Sequence, residues 1–168
     1  LRYVALRYFN AAGASLLGNI GEDHRPETHL IPLIIQAALG QRENVSIFGT
    51  DYPTPDGTCL RDYIHVMDLA DGHVKALKKF EDTPAVYIYN LGTGVGYSVL
   101  DIVKNFEEAT GIKIPYVIDG RRAGDIATCY CSAAKAKAEL GWEAQYGIRD
   151  MCEDSWRWQS QNPNGYDD

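Results

Sequence analysis

Apolar and polar residues alternate over residues 2–9 (RYVALRYF), and this period of two, with Val, Tyr, Leu and Phe frequent, predicts a strand. Asn10 to Pro26 is rich in Gly, Asn, Asp and Ala and reads as a long loop, a length that usually carries function. The pattern then changes to a helical period. Leu30, Leu33, Ile34, Ala37 and Ala38 form one face of a helix from about Leu30 to Leu39, with Pro32 tolerated in its first turn and Gly40 ending it. A short strand, Val45–Phe48, a turn with two prolines, Asp51–Gly57, and an extended piece, Arg61–Val66, follow. The next helix carries Asp68 near its start and Leu69, His73, Ala76, Leu77 and Phe80 on one face, with His73 read as an ordinary, partly buried histidine.

A second strand-like run, Ala85–Tyr89, enters a glycine-rich turn, "NLGTGVGYSVL", and a helix from Val99 to Ala109 leaves it. Val99, Ile102, Val103 and Phe106 face inward and Gly111 stops the helix. The outline is that of a dinucleotide-binding loop, and Asp119, ending the next strand (Lys113–Ile118), sits where a ribose-binding acid would. The spacing argues otherwise. The third glycine position of the fingerprint falls on Tyr97 or Val99, both bulky, and Ser98 with Asp101 forms a capping box that explains the turn as a helix start. Beyond it lie a charged loop (Arg121–Asp125), an extended piece (Ile126–Cys131), and an alanine-rich helix capped by Ser132 and ended by Gly141. A last helix, Ile148–Gln159, turns Ile148, Met151, Cys152 and Ser155 inward, with Trp156 and Trp158 closing over the core. There are no internal repeats and no low-complexity linker.

With 168 residues and a formal charge of -7, the chain can build one core and is not a generic nucleic-acid or membrane-surface binder. Arg61, Arg121 and Arg122 can still make a local anion site, because guanidinium meets phosphate in a planar fork. No apolar run spans a bilayer. The four cysteines, Cys59, Cys129, Cys131 and Cys152, lack zinc-like spacing and do not form a disulfide framework, so a reduced, cytoplasmic protein is expected. The chain opens directly on a strand, without Met or leader, as a piece of something longer would.

Three segments are specific in combination: Arg7-Tyr8-Phe9-Asn10-Ala11-Ala12-Gly13, Arg61-Asp62-Tyr63-Ile64-His65-Val66-Met67-Asp68-Leu69-Ala70, and Arg121-Arg122-Ala123-Gly124-Asp125. With Ile47-Phe48-Gly49 and the ending Trp156-Arg157-Trp158-Gln159, the chain closely resembles, over all its residues, the C-terminal half of the UDP-glucose 4-epimerase family of extended short-chain dehydrogenases/reductases. The resemblance implies an α/β fold, a small mixed sheet with flanking helices. Residues 1–168 would be one UDP-sugar-binding domain, with residues 1–10 a strand of a Rossmann sheet whose remainder lies upstream of Leu1. It implies NAD-dependent oxidation and reduction at C4 of UDP-glucose and UDP-galactose, in a cytoplasmic homodimeric parent. The family's Tyr-x-x-x-Lys pair and true glycine fingerprint are absent from this sequence, so no catalytic residue is assigned and the chain alone is expected to be inactive.

A keto sugar that must turn over is best gripped by its remote nucleotide, and the family's contacts carry over on that logic. Phe48 would stack on uracil, with the backbone of Ser46 reading the base edge. Arg61 and Arg122 would meet the diphosphate and Asp125 the ribose. Asn10 would bond the phosphate or sugar, while Tyr8 and Phe9 would border the nicotinamide end of NAD. His29 and Leu30, at the start of the helix, would also border the substrate, the His29 imidazole donating to phosphate. Two departures stand out: His29 stands where an Asn is common, and Ala123 where an acid is common. Cys129 falls at a position over the sugar 2-substituent, where a bulky tyrosine is associated with refusal of N-acetylated sugars, so a small thiol implies acceptance of both forms. A dehydratase, decarboxylase or uronate epimerase of the same family, and a non-catalytic UDP-sugar-binding or interaction protein, are the alternatives.

Overall fold

The structure is a computed structural model that describes residues 3–81 and 86–166. Strand β1 (Tyr3–Arg7) is followed closely by β2 (Asn10–Ala12), so the alternating run at the start divides in two and the presumed loop begins with a strand. Helix α1 is Leu30–Ala38 and β3 is Val45–Phe48, as the periodicities predict. Next come β4 (Leu60–Arg61), β5 (Tyr63–His65) and α2 (Val66–Leu77), with a 3₁₀ turn at Lys78–Glu81. The second half holds β6 (Val86–Asn90), β7 (Tyr97–Ser98), α3 (Val99–Thr110), β8 (Tyr116–Asp119), β9 (Thr128–Cys129), α4 (Ala134–Leu140) and α5 (Ile148–Gln161). Arg2 and Ala85, expected in the first strand and in β6, lie outside the described residues.

The mixed α/β class is as expected, and its strands are shared among four short sheets of the described residues. β1 pairs with β6, β2 with β5 and β3 with β8, all parallel, while β4 lies between antiparallel β7 and parallel β9. Parallel partners need long crossovers, which is why each pairing joins segments far apart in sequence.

Helix α3 begins as its sequence dictates: Ser98 Oγ accepts from Asp101 N at 2.9 Å and Asp101 Oδ2 from Ser98 N at 3.0 Å. Gly111 closes it at φ 74°, in the left-handed region that glycine enters without steric cost. The alanine-rich helix differs. Its N-cap position falls on Ala133, and Ser132 Oγ, one residue earlier, accepts from Ala134 N at 3.4 Å.

Two cores result. The larger gathers Ile31, Ile34 and Ile35 of α1, Ile102, Val103 and Phe106 of α3, and Ile148, Met151 and Cys152 of α5. The smaller holds Ile64, Leu69, Tyr89, Leu91, Ala136 and Trp142. Trp158 is buried, whereas Trp156 is partly buried and meets Phe106 edge-on at 5.9 Å.

Two face assignments are corrected. Leu33 turns toward a cavity while Ile31 and Ile35 take the core, and Leu30 packs against the core and also lines the cavity, because α1 is apolar on more than one side. In α2, Leu69, Gly72 and Ala76 are buried, but Leu77 is 62% exposed and His73 is exposed, its Nδ1 2.8 Å from the Leu69 carbonyl.

Candidate functional site

The segment from Arg61 to Ile64 sorts its side chains by the pleat. Tyr63 joins the larger core and Ile64 the smaller. Arg61 and Tyr63 line one cavity, while the Asp62 carboxylate engages the glycine-rich turn. Arg61 is held by the chain itself: its Nη1 donates to the carbonyls of Leu60 (2.8 Å) and Ile126 (2.9 Å), and its Nη2 lies 3.6 Å from Asp125. Arg122 donates through Nε to Asp125 Oδ2 at 3.0 Å, and its guanidinium carbon sits 4.6 Å from the Phe48 ring centroid. The β3–β8 register, Phe48 opposite Asp119, brings that ring beside the loop bearing Arg122.

These groups surround a cavity of about 150 Å³. Asn10, His29, Leu30, Ser46, Phe48, Arg61, Arg122 and Asp125 all line it, from five separate stretches of chain. Cys129 is not part of this lining. It is partly exposed on β9, paired in register with Arg61. Thr28, Leu33, Cys59, Tyr63 and Val99 complete the wall and were not singled out from the sequence. Leu33 could have been found, since it stands one turn after Leu30.

Two guanidiniums share one carboxylate here, which leaves a net positive charge beside an aromatic face. That arrangement suits an anion joined to a flat ring. Tyr63 cannot supply a proton acceptor: burial pushes its phenol above the ordinary 10.0, against a smaller lowering by Arg61, so it stays neutral.

Tyr8 and Phe9 border a second cavity, about 590 Å³ and mainly apolar, that shares Asn10 and His29 with the first. Val66, Met67 and Ala70 of α2 form its other side. Tyr8 is 48% exposed, and its ring lies 6.2 Å from that of His73.

The glycine-rich turn is engaged by a carboxylate of the chain itself. Asp62 is fully buried, and its carboxylate accepts from Thr93 N (2.9 Å), Thr93 Oγ1 (2.8 Å), Gly94 N (3.1 Å) and Cys131 N (3.3 Å). The amides that would face a pyrophosphate are already committed to a carboxylate of the chain itself. Asp62 is therefore a structural anchor, not half of a surface ion pair with Arg61.

His65 is a second buried anchor that the sequence did not single out. Its Nε2 lies 3.1 Å from Asp154 Oδ2, and its Nδ1 accepts from Met67 N at 3.1 Å as the N-cap of α2. Gly13, at φ 87°, passes so close that a Cβ would fall 2.6 Å from the imidazole, so only glycine fits.

The sequence model of the NAD-dependent epimerase/dehydratase family matches residues 1–92. The chain belongs to that family. It is 58% identical over 166 residues to UDP-glucose 4-epimerase of Drosophila melanogaster, covering 97% of this chain and 47% of that protein. Among solved structures, the UDP-glucose 4-epimerase of Bifidobacterium longum in complex with NAD+ and UDP superimposes with a TM-score of 0.94 at 51% identity, over 98% of this chain and 49% of that one. The UDP-Glc/GlcNAc 4-epimerase of Campylobacter jejuni superimposes at 0.77 and 33% identity, over 95% and 49%. The chain thus spans about half the length of the relatives it matches. Its four cysteines are free, and no described helix is long and apolar enough to cross a membrane.

Proposed function

We propose that this chain is the UDP-sugar-binding portion of a UDP-glucose 4-epimerase, acting with an upstream NAD-binding half to interconvert UDP-glucose and UDP-galactose at C4. The observation that carries the reading is the convergence of eight of the nine residues assigned to the substrate on one cavity, from segments as distant as Asn10 and Asp125. Phe48 offers the base a ring, Ser46 the edge of β3, and Arg61 and Arg122 the diphosphate a paired cationic clamp. Asp125 pairs with both guanidiniums and can exchange one of those bonds for a ribose hydroxyl.

NAD, when bound, would accept and return the hydride at C4. The residues of this chain fit one end of it only: Tyr8 and Phe9, on the apolar cavity joined to the substrate site through Asn10 and His29. The engagement of Thr93 and Gly94 by Asp62 supports placing the pyrophosphate site in the upstream half. We read β1 and β6 as the last strands of that half's sheet, a reading favoured by the exposure of Tyr3, Val86 and Ile88 on their surface. A homodimeric, cytoplasmic parent belongs to the same proposal.

Calorimetric titration of the chain with UDP tests the site. Binding that weakens on Arg61→Ala is expected, together with no turnover of UDP-galactose in the presence of NAD+. Undiminished binding in that variant, or turnover by the chain alone, would overturn the reading.

A further inference from the structure

We propose that the loop bearing His24, Glu27 and His29 is a binding site for one divalent transition-metal ion of the zinc class, at the rim of the substrate cavity. One ligand atom from each of the three residues lies within 4.8 Å of the others. The Nδ1 atoms of His29 and His24 stand 3.5 and 3.8 Å from Glu27 Oε1. Tetrahedral zinc with bonds near 2.0–2.1 Å sets its ligands about 3.3 Å apart, so the site closes on an ion with small rotations. Glu22 Oε1, 2.5 Å from His29 Nδ1, adds a second carboxylate beside that imidazole. Two imidazoles with carboxylate oxygen select zinc, nickel or copper over calcium or magnesium.

The site is held in place by hydrogen bonds to the backbone and to the end of the chain. Glu27 Oε1 accepts from the amides of Thr28 (2.6 Å) and His29 (2.7 Å), which fixes the carboxylate. The loop is tied to the end of the chain: Arg25 donates to the Asn164 carbonyl at 2.9 Å, and Tyr166 N to Asp23 Oδ2 at 3.1 Å. Among the described residues, Glu22 and Glu27 pair with histidines and with no lysine or arginine. Arg25 is turned to Asp23, 3.3 Å away. A cavity of about 320 Å³, lined by Glu22, Asp23, His24 and Glu27, gives an ion and its water access. His29 also lines the substrate cavity, so an ion here adds positive charge beside the arginine clamp.

The test is calorimetric titration of the tag-free, chelator-stripped chain with zinc chloride. One equivalent is expected to bind, with affinity falling at least about tenfold in His24→Ala and in Glu27→Gln. Circular dichroism of each variant checks that it is folded. Cys129→Ser/Cys131→Ser should bind as the parent chain does, and cobalt should give a spectrum without thiolate charge transfer. Absence of stoichiometric binding, equal binding by a folded His24→Ala/Glu27→Gln variant, or loss on removing the cysteines would overturn the site. Zinc and UDP are titrated separately, so failure here leaves the UDP-sugar reading standing.

Discussion

Asp62 Oδ2 lies 3.1 Å from the amide nitrogen of Gly94, and through this bond the residue between β4 and β5 fixes the glycine-rich turn. The turn keeps its nucleotide-loop shape because a buried side chain takes the place of a phosphate. Four donors would lose their acceptor in Asp62→Ala. Each buried donor left alone costs about 1–3 kcal/mol, so a loss of at least about 3 kcal/mol is expected. Urea unfolding checks it, and an unchanged midpoint would remove the anchor role.

Phe48 has two partners to lose, since its ring carries the Arg122 guanidinium and faces the cavity. Removing a base-stacking aromatic costs about 1–3 kcal/mol, so Phe48→Ala should weaken UDP at least about fivefold. Ser46→Ala, whose backbone and not its hydroxyl is assigned to the base, should leave the affinity within about twofold, a difference of roughly 0.4 kcal/mol. Equal losses in the two variants would contradict the assignment.

Cys129 tests substrate breadth. It projects from β9 next to Arg61 in register, and a tyrosine there would be far bulkier. In the longer protein we expect turnover of UDP-N-acetylglucosamine, reduced at least about tenfold by Cys129→Tyr, while UDP-glucose changes little; one lost methylene of room is already worth 10-fold or more in such pockets. No turnover of the N-acetyl sugar by the parent protein would end this reading.

Glu107 couples stability to pH. A bond from the Ile114 amide (2.9 Å) and then one from Lys113 hold its carboxyl below the ordinary value of 4.5. A depressed folded value means the stabilisation is complete above 4.5 and is lost as pH falls from there through the folded value. Glu107→Gln should therefore be less stable than the parent chain at pH 7 and converge with it in acid. Thermal melts across that range would show parallel curves if Glu107 contributed nothing.

Much of the fold can be read from local pattern. The α3 capping box, its glycine stop, Pro32 in the first turn of α1 and the Val45–Phe48 strand each depend on residues a few positions apart, and each is present. The family resemblance carried by the motifs around Asn10, Arg61 and Arg122 likewise pointed to residues that line one cavity. Packing partners are not. The sequence could not show that Asp62 reaches Thr93, that His65 meets Asp154, or that Trp142 fills the second core and donates to the Asp68 carbonyl at 2.9 Å. Nor could it distinguish the core side of α1 from its cavity side, since both are apolar.

The sequence by itself therefore determined the helices and the strand β3, and the start and stop of α3. Hydrogen bonds within a turn and the period of a helix depend only on neighbouring residues. Tertiary structure alone decided that "NLGTGVGYSVL" is held by a carboxylate, that Cys129 stands beside the cavity lining, and that His24, Glu27 and His29 converge. Those outcomes rest on parallel strand pairings and loop ties between segments up to well over a hundred residues apart, and nothing in either partner's local pattern specifies them.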